Sequence, residues 1–436
     1  MNAIIKRYFS KYFGEELGPR VKNAFINGGM ASILGRGFPI VALMISAKIL
    51  TAEQFGKFML IYGAIISFST LSEAGLGTTI TKFTAQYKNS SIFRLSEILS
   101  TAQYISVLNI LLVSFFIFIF QEQLVNYIFS DGSLRKYLIL IIVTIFFIGL
   151  CNIQQAILYG LEDYKCVKRI NFYTGLIVLL GLPLGASLYQ IEGMIIAFAL
   201  SRILNLIFLF GSTSSHFGKL GIRRLDKFHS ADVKSILGFS LPTFLNSMLI
   251  GPVMLVAMSI VARHFDGNGH EQVGIYNAAY QWFSFILFIP GVLSISALPI
   301  LAEQISSGNK IDAYELVVRK IKLMMIIVAP VVLMVGLLAP YIMAIYGDDY
   351  AGYSSVLIIL LLGAFVALPQ RIIGVYIISN NAVWHWFAAG LCWAVVLLSV
   401  TLIFVNHGAI ALAGGLLIAY IFKLVVAILS VKAVRS

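Results

Sequence analysis

The stretch "EQFGKF" at residues 53–58 follows the first long apolar run, and "EQVGIY" at residues 271–276 repeats it 218 positions later in a chain of 436 residues. The likeness widens to "SAKILTAEQFGKF" (46–58) and "IVARHFDGNGHEQVGIY" (260–276). Both hold Ala, a basic residue, a polar turn, Glu-Gln, an apolar residue, Gly, any residue and an aromatic. A second match lies toward the end of each half: "GMIIA" (193–197) precedes Arg202, and "GLLIA" (415–419) precedes Lys423. Small residues four apart let helices approach closely. Two matches at about half the chain length predict two bundles of like orientation, related by an axis along the membrane normal, with a substrate path between them.

Composition sets the medium. With 59% hydrophobic and 11% charged residues and a mean hydropathy of +0.93, the chain has too little polar surface for a soluble globule. Apolar runs of about 20 residues close their backbone hydrogen bonds within one helix and cross the hydrocarbon core. Such runs fall near 24–50, 57–81, 98–120, 137–160, 168–189, 193–212, 236–262, 273–301, 321–346, 353–378, 382–405 and 408–430. The fold expected is an all-α polytopic membrane protein of twelve transmembrane helices in two six-helix bundles. Its divisions are an interfacial segment over 1–22, an amino-terminal bundle over 23–212, a linker over 213–235 and a carboxy-terminal bundle over 236–436.

The net charge of +12 is mostly topology. With a cytoplasmic amino terminus, 22 of the 31 Lys and Arg fall in the inner segments, and only Lys57, Arg135, Lys136 and Arg263 fall in the outer ones. That bias places both termini inside. The basic residues are spread over short loops, so no nucleic-acid footprint is expected. Residues 1–22 lack an apolar core followed by a small-residue cleavage site, and no cleaved signal peptide is read there. Ile5 and Phe9 fall at helical spacing among Lys6, Arg7 and Lys11, as in an interfacial helix or a frayed basic terminus. The polar, basic linker reads as a solvated hinge. Cys151, Cys166 and Cys392 have neither metal-site nor redox spacing. No phosphate loop, nucleophile elbow, HExxH or acid cluster is present, so neither catalysis nor a cofactor is expected.

Charges inside the spans mark function, because ionised groups are costly in lipid and normally face a cavity. The set is Arg36 and Lys48 in the first span, Arg202 in the sixth, Arg371 in the tenth, Lys423 in the twelfth and one acid, Glu73, in the second. An excess of basic groups predicts a cavity that holds an anion. Arg36 either pairs with Glu73 or meets a ligand, and Lys48 and Lys423 have the option of snorkelling to the interfaces. Twelve residues separate Arg36 from Lys48, about 120° around a straight helix, so the two do not form one stripe. Tyr276 and Tyr280 share a face with Phe283 and are candidates for stacking on sugar, whereas Trp384 and Trp386 read as an interfacial belt.

An ordered series of motifs then carries a resemblance. "AKILTAEQFGKF" (47–58), "GLGTTITKFTAQY" (75–87), "QQAILYGLEDYK" (154–165), "GFSLPTFLNS" (238–247), "VGIYNAAYQWF" (273–283) and "YGDDYAGYSSVLIILLL" (346–362) together resemble the Wzx-like polysaccharide and O-antigen repeat-unit flippases. These belong to the multidrug/oligosaccharidyl-lipid/polysaccharide (MOP) exporter superfamily. The resemblance covers nearly the whole chain. It implies a V-shaped, MATE-like pair of bundles. It also implies a flippase of a bacterial inner membrane that moves an undecaprenyl-diphosphate-linked oligosaccharide outward among membrane lipids and polysaccharide assembly proteins. Na⁺ or H⁺ coupling stays open, with Glu73 the possible coupling acid. The alternatives are a cation-coupled multidrug exporter of the same superfamily, which would need buried carboxylates, and a non-transporting scaffold, which would need no basic cavity.

Overall fold

The computed structural model describes residues 24–221, 230–265, 267–295, 310–380 and 382–435. The interfacial reading of residues 1–22 lies outside them. Among the described residues every regular element is a helix. The crossings are α1 (Gly29–Ile49), α2 (Ala52–Glu73), α3 (Ile92–Ile119), α4 (Leu138–Gly160), α5 and α6 within Tyr164–Leu220, α7 (Ser230–Met248, continuing as Ile250–His264), α8 (Gly269–Ile295), α9 (Lys310–Leu337), α10 (Ser354–Ser379), α11 (Val383–Ile403) and α12 (Ala409–Arg435). The break between α5 and α6 is sharp, with Tyr189 at φ −136° and Gln190 at φ 51°, ψ −130°.

Three boundaries differ from the hydropathy reading. "EQFGKF" opens α2 and is not a gap. Thr51, extended at ψ 158°, accepts the Gln54 N–H and caps the helix, and Glu53 lies in its first turn. The second span is interrupted where Ala74 and Gly75 turn left-handed, after which Leu76–Tyr87 forms a separate helix. Part of the stretch expected as a linker over 213–235 is helical: α6 stays helical to Leu220 and Ser230 lies in α7.

The first segment of α7 packs mainly on the amino-terminal half. Ile236 is buried in the cluster of Leu76, Ile80, Leu95 and Leu99. Arg94 at the head of α3 grips both carboxylate oxygens of Asp232, one of them at 3.1 Å.

The two corners meet each other. A Cβ built on Gly56 would stand 1.7 Å from the His270 carbonyl oxygen, and one on Gly274 would stand 1.9 Å from the Ala52 carbonyl oxygen. Only glycine permits so close a passage of two backbones. Each contact is the other's image under the 218-residue offset, and further contacts follow the same rule. Gln54 donates to Gln190 Oε1 at 2.8 Å, while Gln272 Oε1 accepts the Ala409 N–H at 3.0 Å, one residue past Gly408. Gln190 (φ 51°, ψ −130°) and Gly408 (φ 55°, ψ −120°) share one unusual backbone conformation. Across the halves, Ala52 N–H donates to Asp349 Oδ2 at 3.1 Å, and His270 Nε2 donates to the Phe129 carbonyl at 2.7 Å.

One hydrophobic cluster therefore crosses the two halves at this corner end, joining Phe55, Phe58 and Ile61 to Val273, Tyr276 and Ala279. Toward the opposite end the cores part. Leu95, Leu99, Ile153 and Ile157 pack in the amino-terminal half, and Val317, Met324, Ile372 and Tyr376 pack in the carboxy-terminal half. Two lobes joined at one end and separate at the other make the V.

Outside the helix interiors, a clasp reinforces the corner end: Lys57 bonds Glu53 and Asp131, each at 2.8 Å. Partial burial alone would raise the Asp131 pKa, but hydrogen bonds from Lys57 and from Ser133 hold it down at about 2.

The glycine interlock predicts that Gly274→Ala destabilises the fold by about 1–3 kcal/mol through overpacking, whereas Gly414→Ala, with no atom near its added Cβ, does not. Thermal unfolding in detergent checks this, and spin labels at Glu53 and Glu271 should read a longer, broader distance in the Gly274 variant. The clasp predicts a pH dependence. Because the folded pKa of Asp131 lies below its ordinary 3.8, its stabilisation is complete above about pH 4 and is lost as pH falls toward 2. Asp131→Asn should remove that part of the acid sensitivity in the same melts.

Candidate functional site

Between the separated lobes lies a cavity of about 640 Å³. Among the described residues, the amino-terminal half gives it Ser32, Arg36 and Ile40 of α1. The carboxy-terminal half gives Tyr280 and Phe283 from α8, Gln370 and Arg371 from α10, Trp386 and Trp393 from α11, and Tyr420 and Lys423 from α12, among others. Among the described residues, no Asp or Glu lines it.

Local structure explains how the cations are held without a counter-charge. Lys423 Nζ lies 4.8 Å from the centre of the Trp386 ring and 5.9 Å from that of Trp393, so π faces replace a carboxylate. Gly374, one turn beyond Arg371, makes room for the indole: a Cβ there would stand 2.6 Å from the Trp386 ring. Arg371 acts electrostatically on Lys423, Tyr280 and Tyr420. Arg36 and Arg371 are both exposed to the cavity, and among the described residues no ion pair joins Arg36 to Glu73.

The aromatic residues form a continuous series. Ring centres lie 5.6 Å apart for Tyr276 and Tyr280, 5.0 Å for Tyr280 and Phe283, and 5.9 Å for Phe283 and Tyr420, all stacked. Trp393 follows at 5.9 Å from Tyr420. Stacked rings beside a cluster of cations suit a ligand that joins an anionic group to a flat apolar face.

The structure thus brings together Arg36, Arg371, Lys423 and Tyr280 of the residues read from sequence. It places four elsewhere. Lys48 is exposed at the corner end of α1, turned from Arg36 as twelve residues of helix require. Tyr276 is fully buried below the cavity. Arg202 packs inside the amino-terminal half, its guanidinium 5.0 Å from the Phe198 ring and its Nε donating to Ser201 Oγ at 3.2 Å. Glu73 accepts from Asn152 at 3.1 Å and from the Gly77 N–H, so it caps the helix that begins at Leu76. Trp386, read as an interfacial ring, lines the cavity, whereas Trp384 is 67% exposed. Gln370, Trp393 and Tyr420 carried no sequence signal, being neutral residues in apolar runs; spacing alone puts Tyr420 three positions before Lys423.

With this geometry in view, comparison with known proteins is informative. A family model described as "Polysaccharide biosynthesis protein" matches residues 21–305, and a second, "MatE", matches residues 242–384. Among curated proteins the chain is 24% identical over 311 residues to the EPS I polysaccharide export inner membrane protein EpsE of Ralstonia nicotianae, a match that spans 66% of this chain and 66% of that one. Among solved structures it resembles an inward-facing multidrug resistance MATE family transporter of the MOP superfamily, with a TM-score of 0.77, 14% identity and 99% of each chain covered. It also resembles the lipid II flippase MurJ in an inward closed conformation, with a TM-score of 0.72, 17% identity, and 93% of this chain and 87% of that chain covered. The chain belongs to the polysaccharide biosynthesis protein family, built on the two-lobed fold of the MOP superfamily.

Proposed function

We propose that this membrane protein is a flippase that carries an undecaprenyl-diphosphate-linked oligosaccharide repeat unit from the cytoplasmic to the outer leaflet of a bacterial inner membrane. The observation that supports this most is the cavity with Arg36 on one lobe and Arg371 and Lys423 on the other, and with no acid among the described residues that line it. A diphosphate head group supplies the negative charge such a cavity lacks, and its sugars find the stacked rings. The polyprenyl tail stays in lipid beside the gap between lobes. EpsE, as its name states, serves polysaccharide export, and MurJ flips a lipid; both point the same way.

The lysine and arginine distribution supports termini in the cytoplasm, an orientation in which the open end of the V faces the cytoplasm. Outward movement of each negative charge is favoured by about 2.3 kcal/mol per 100 mV of inside-negative potential. The potential itself can therefore drive transport. Glu73, committed to capping a helix away from the cavity, is poorly placed to couple an ion to it. The MatE match favours a second reading, drug export; exchange of cations for drugs calls for carboxylates in the cavity, and none of the described lining residues supplies one.

The test is transport of a prenyl-diphosphate disaccharide in proteoliposomes with an imposed potential. Arg36→Gln, Arg371→Gln and Lys423→Gln are each expected to slow it by about tenfold or more, the loss of a charge-assisted contact. Arg202→Gln should instead lower the melting temperature with little effect on rate. Equal rates in all four variants would refute the site, and drug efflux without lipid transport would favour the second reading.

A further inference from the structure

Two buried polar atoms in the cavity wall have no hydrogen-bond partner among the described residues: Gln370 Oε1 on α10 and Trp393 Nε1 on α11. The residues are 4% and 2% exposed, and both line the cavity. The amide of Gln370 can be oriented only one way. Its Nε2 donates to the Val366 carbonyl at 3.2 Å and to the Tyr420 carbonyl at 2.8 Å, so a flipped amide would set oxygen against two oxygens. An unpaired acceptor and an unpaired donor remain.

Their surroundings narrow what completes them. Both adjoin Tyr420, whose carbonyl holds Gln370 and whose ring lies 5.9 Å from Trp393 and 5.9 Å from Phe283. Both also share the cavity with the cations, since Gln370 and Arg371 line it together and Lys423 lies over Trp393. A phosphate cannot complete the pair, because an ionised phosphate only accepts and would leave Gln370 Oε1 facing another acceptor. A secondary amide offers one N–H and one C=O. On a pyranose it also comes with a C–H face that stacks on rings.

We propose that Gln370 and Trp393 form a neutral subsite that reads the acylamino group of the sugar joined to the diphosphate. The cavity then checks the first sugar as well as the charge. This rests on the cavity being a prenyl-diphosphate saccharide site, and it adds specificity-determining residues on α10 and α11. In the liganded state the side chains over the two atoms move aside, and each atom gains a partner whose absence is otherwise costly.

The experiment is a titration of the purified full-length protein in detergent with three synthetic ligands: farnesyl diphosphate, farnesyl-diphosphoryl-glucose and farnesyl-diphosphoryl-N-acetylglucosamine. Two neutral hydrogen bonds predict about tenfold tighter binding of the acetamido sugar than of glucose. In Gln370→Met and Trp393→Phe the ratio should fall to about one. Equal affinity of the wild type for the two sugars, with farnesyl diphosphate still bound, overturns the subsite and leaves the flippase reading standing. A tenfold preference that survives in both variants overturns the assignment to these residues. Failure to bind any of the three ligands overturns the flippase reading and the subsite with it. The wild-type ratio decides the matter even where a variant proves unstable.

Discussion

Everything in this molecule hangs on one close approach, the passage of the α2 backbone against that of α8 at Gly56 and Gly274. Neither glycine tolerates a side chain there, because the obstructing atoms are main-chain carbonyls that have nowhere to go. The contact is reciprocal, so the two lobes touch along their pseudo-symmetry axis. It is also surrounded by matched bonds: Gln54 and Gln272 each tie to a hairpin turn, and Ala52 and His270 each reach the opposite lobe. A joint of that kind fixes one end and leaves the angle of the lobes as the soft coordinate. The cavity exists because the cores separate away from the joint.

The charge in that cavity acts on the same coordinate. Two like charges about 4 Å apart repel by about 4 kcal/mol at an effective dielectric constant of 20. Swinging the lobes together brings Arg36 toward Arg371 and Lys423, so closing without an anion meets rising repulsion. An anion between them reverses the sign. On the proposed function, binding and closing are thereby coupled through electrostatics, with no need for a dedicated latch. In the proposed flippase, the residues assigned to the ligand also hold the protein from idle cycling.

The sequence showed the joint and the charges more clearly than the rest, for identifiable reasons. Glu-Gln-x-Gly repeats because both copies must satisfy one contact, and repetition survives in sequence. Arg36, Arg371 and Lys423 stand out because a charge within an apolar run is rare and must be accommodated. Arg202 stands out equally, yet its surroundings depend on Phe198 and Ser201 being within reach, which only packing reveals. The match of "GMIIA" to "GLLIA" misled here. The turns at Gln190 and Gly408 set the register at 218, and from each turn the helix runs on unbroken, so Arg202 corresponds to Tyr420 and not to Lys423. The motif match is four residues out of step, about one helical turn. Hydropathy misjudged the ends of α2 and α6 because it reports where lipid lies, whereas a helix begins at a cap such as Thr51 and can continue as a polar helix into water.

The symmetry of the joint makes the one-sidedness of the cavity informative. Four helices of the carboxy-terminal lobe supply its rings and two of its cations, while the other lobe supplies part of a single helix. A duplicated bundle starts with two equal halves of a site. A joint on the axis keeps both copies matched, because a change in either Gly56 or Gly274 breaks a contact made by both. The cavity wall is under no such constraint: a ligand held by one lobe needs only something to close against. On the proposed function, one lobe was therefore free to become the binding surface, and the other to close over it with one arginine. In the proposed flippase the cation on that lobe makes closure depend on the ligand, so Arg36 is expected to matter out of proportion to the small share of the wall that α1 provides.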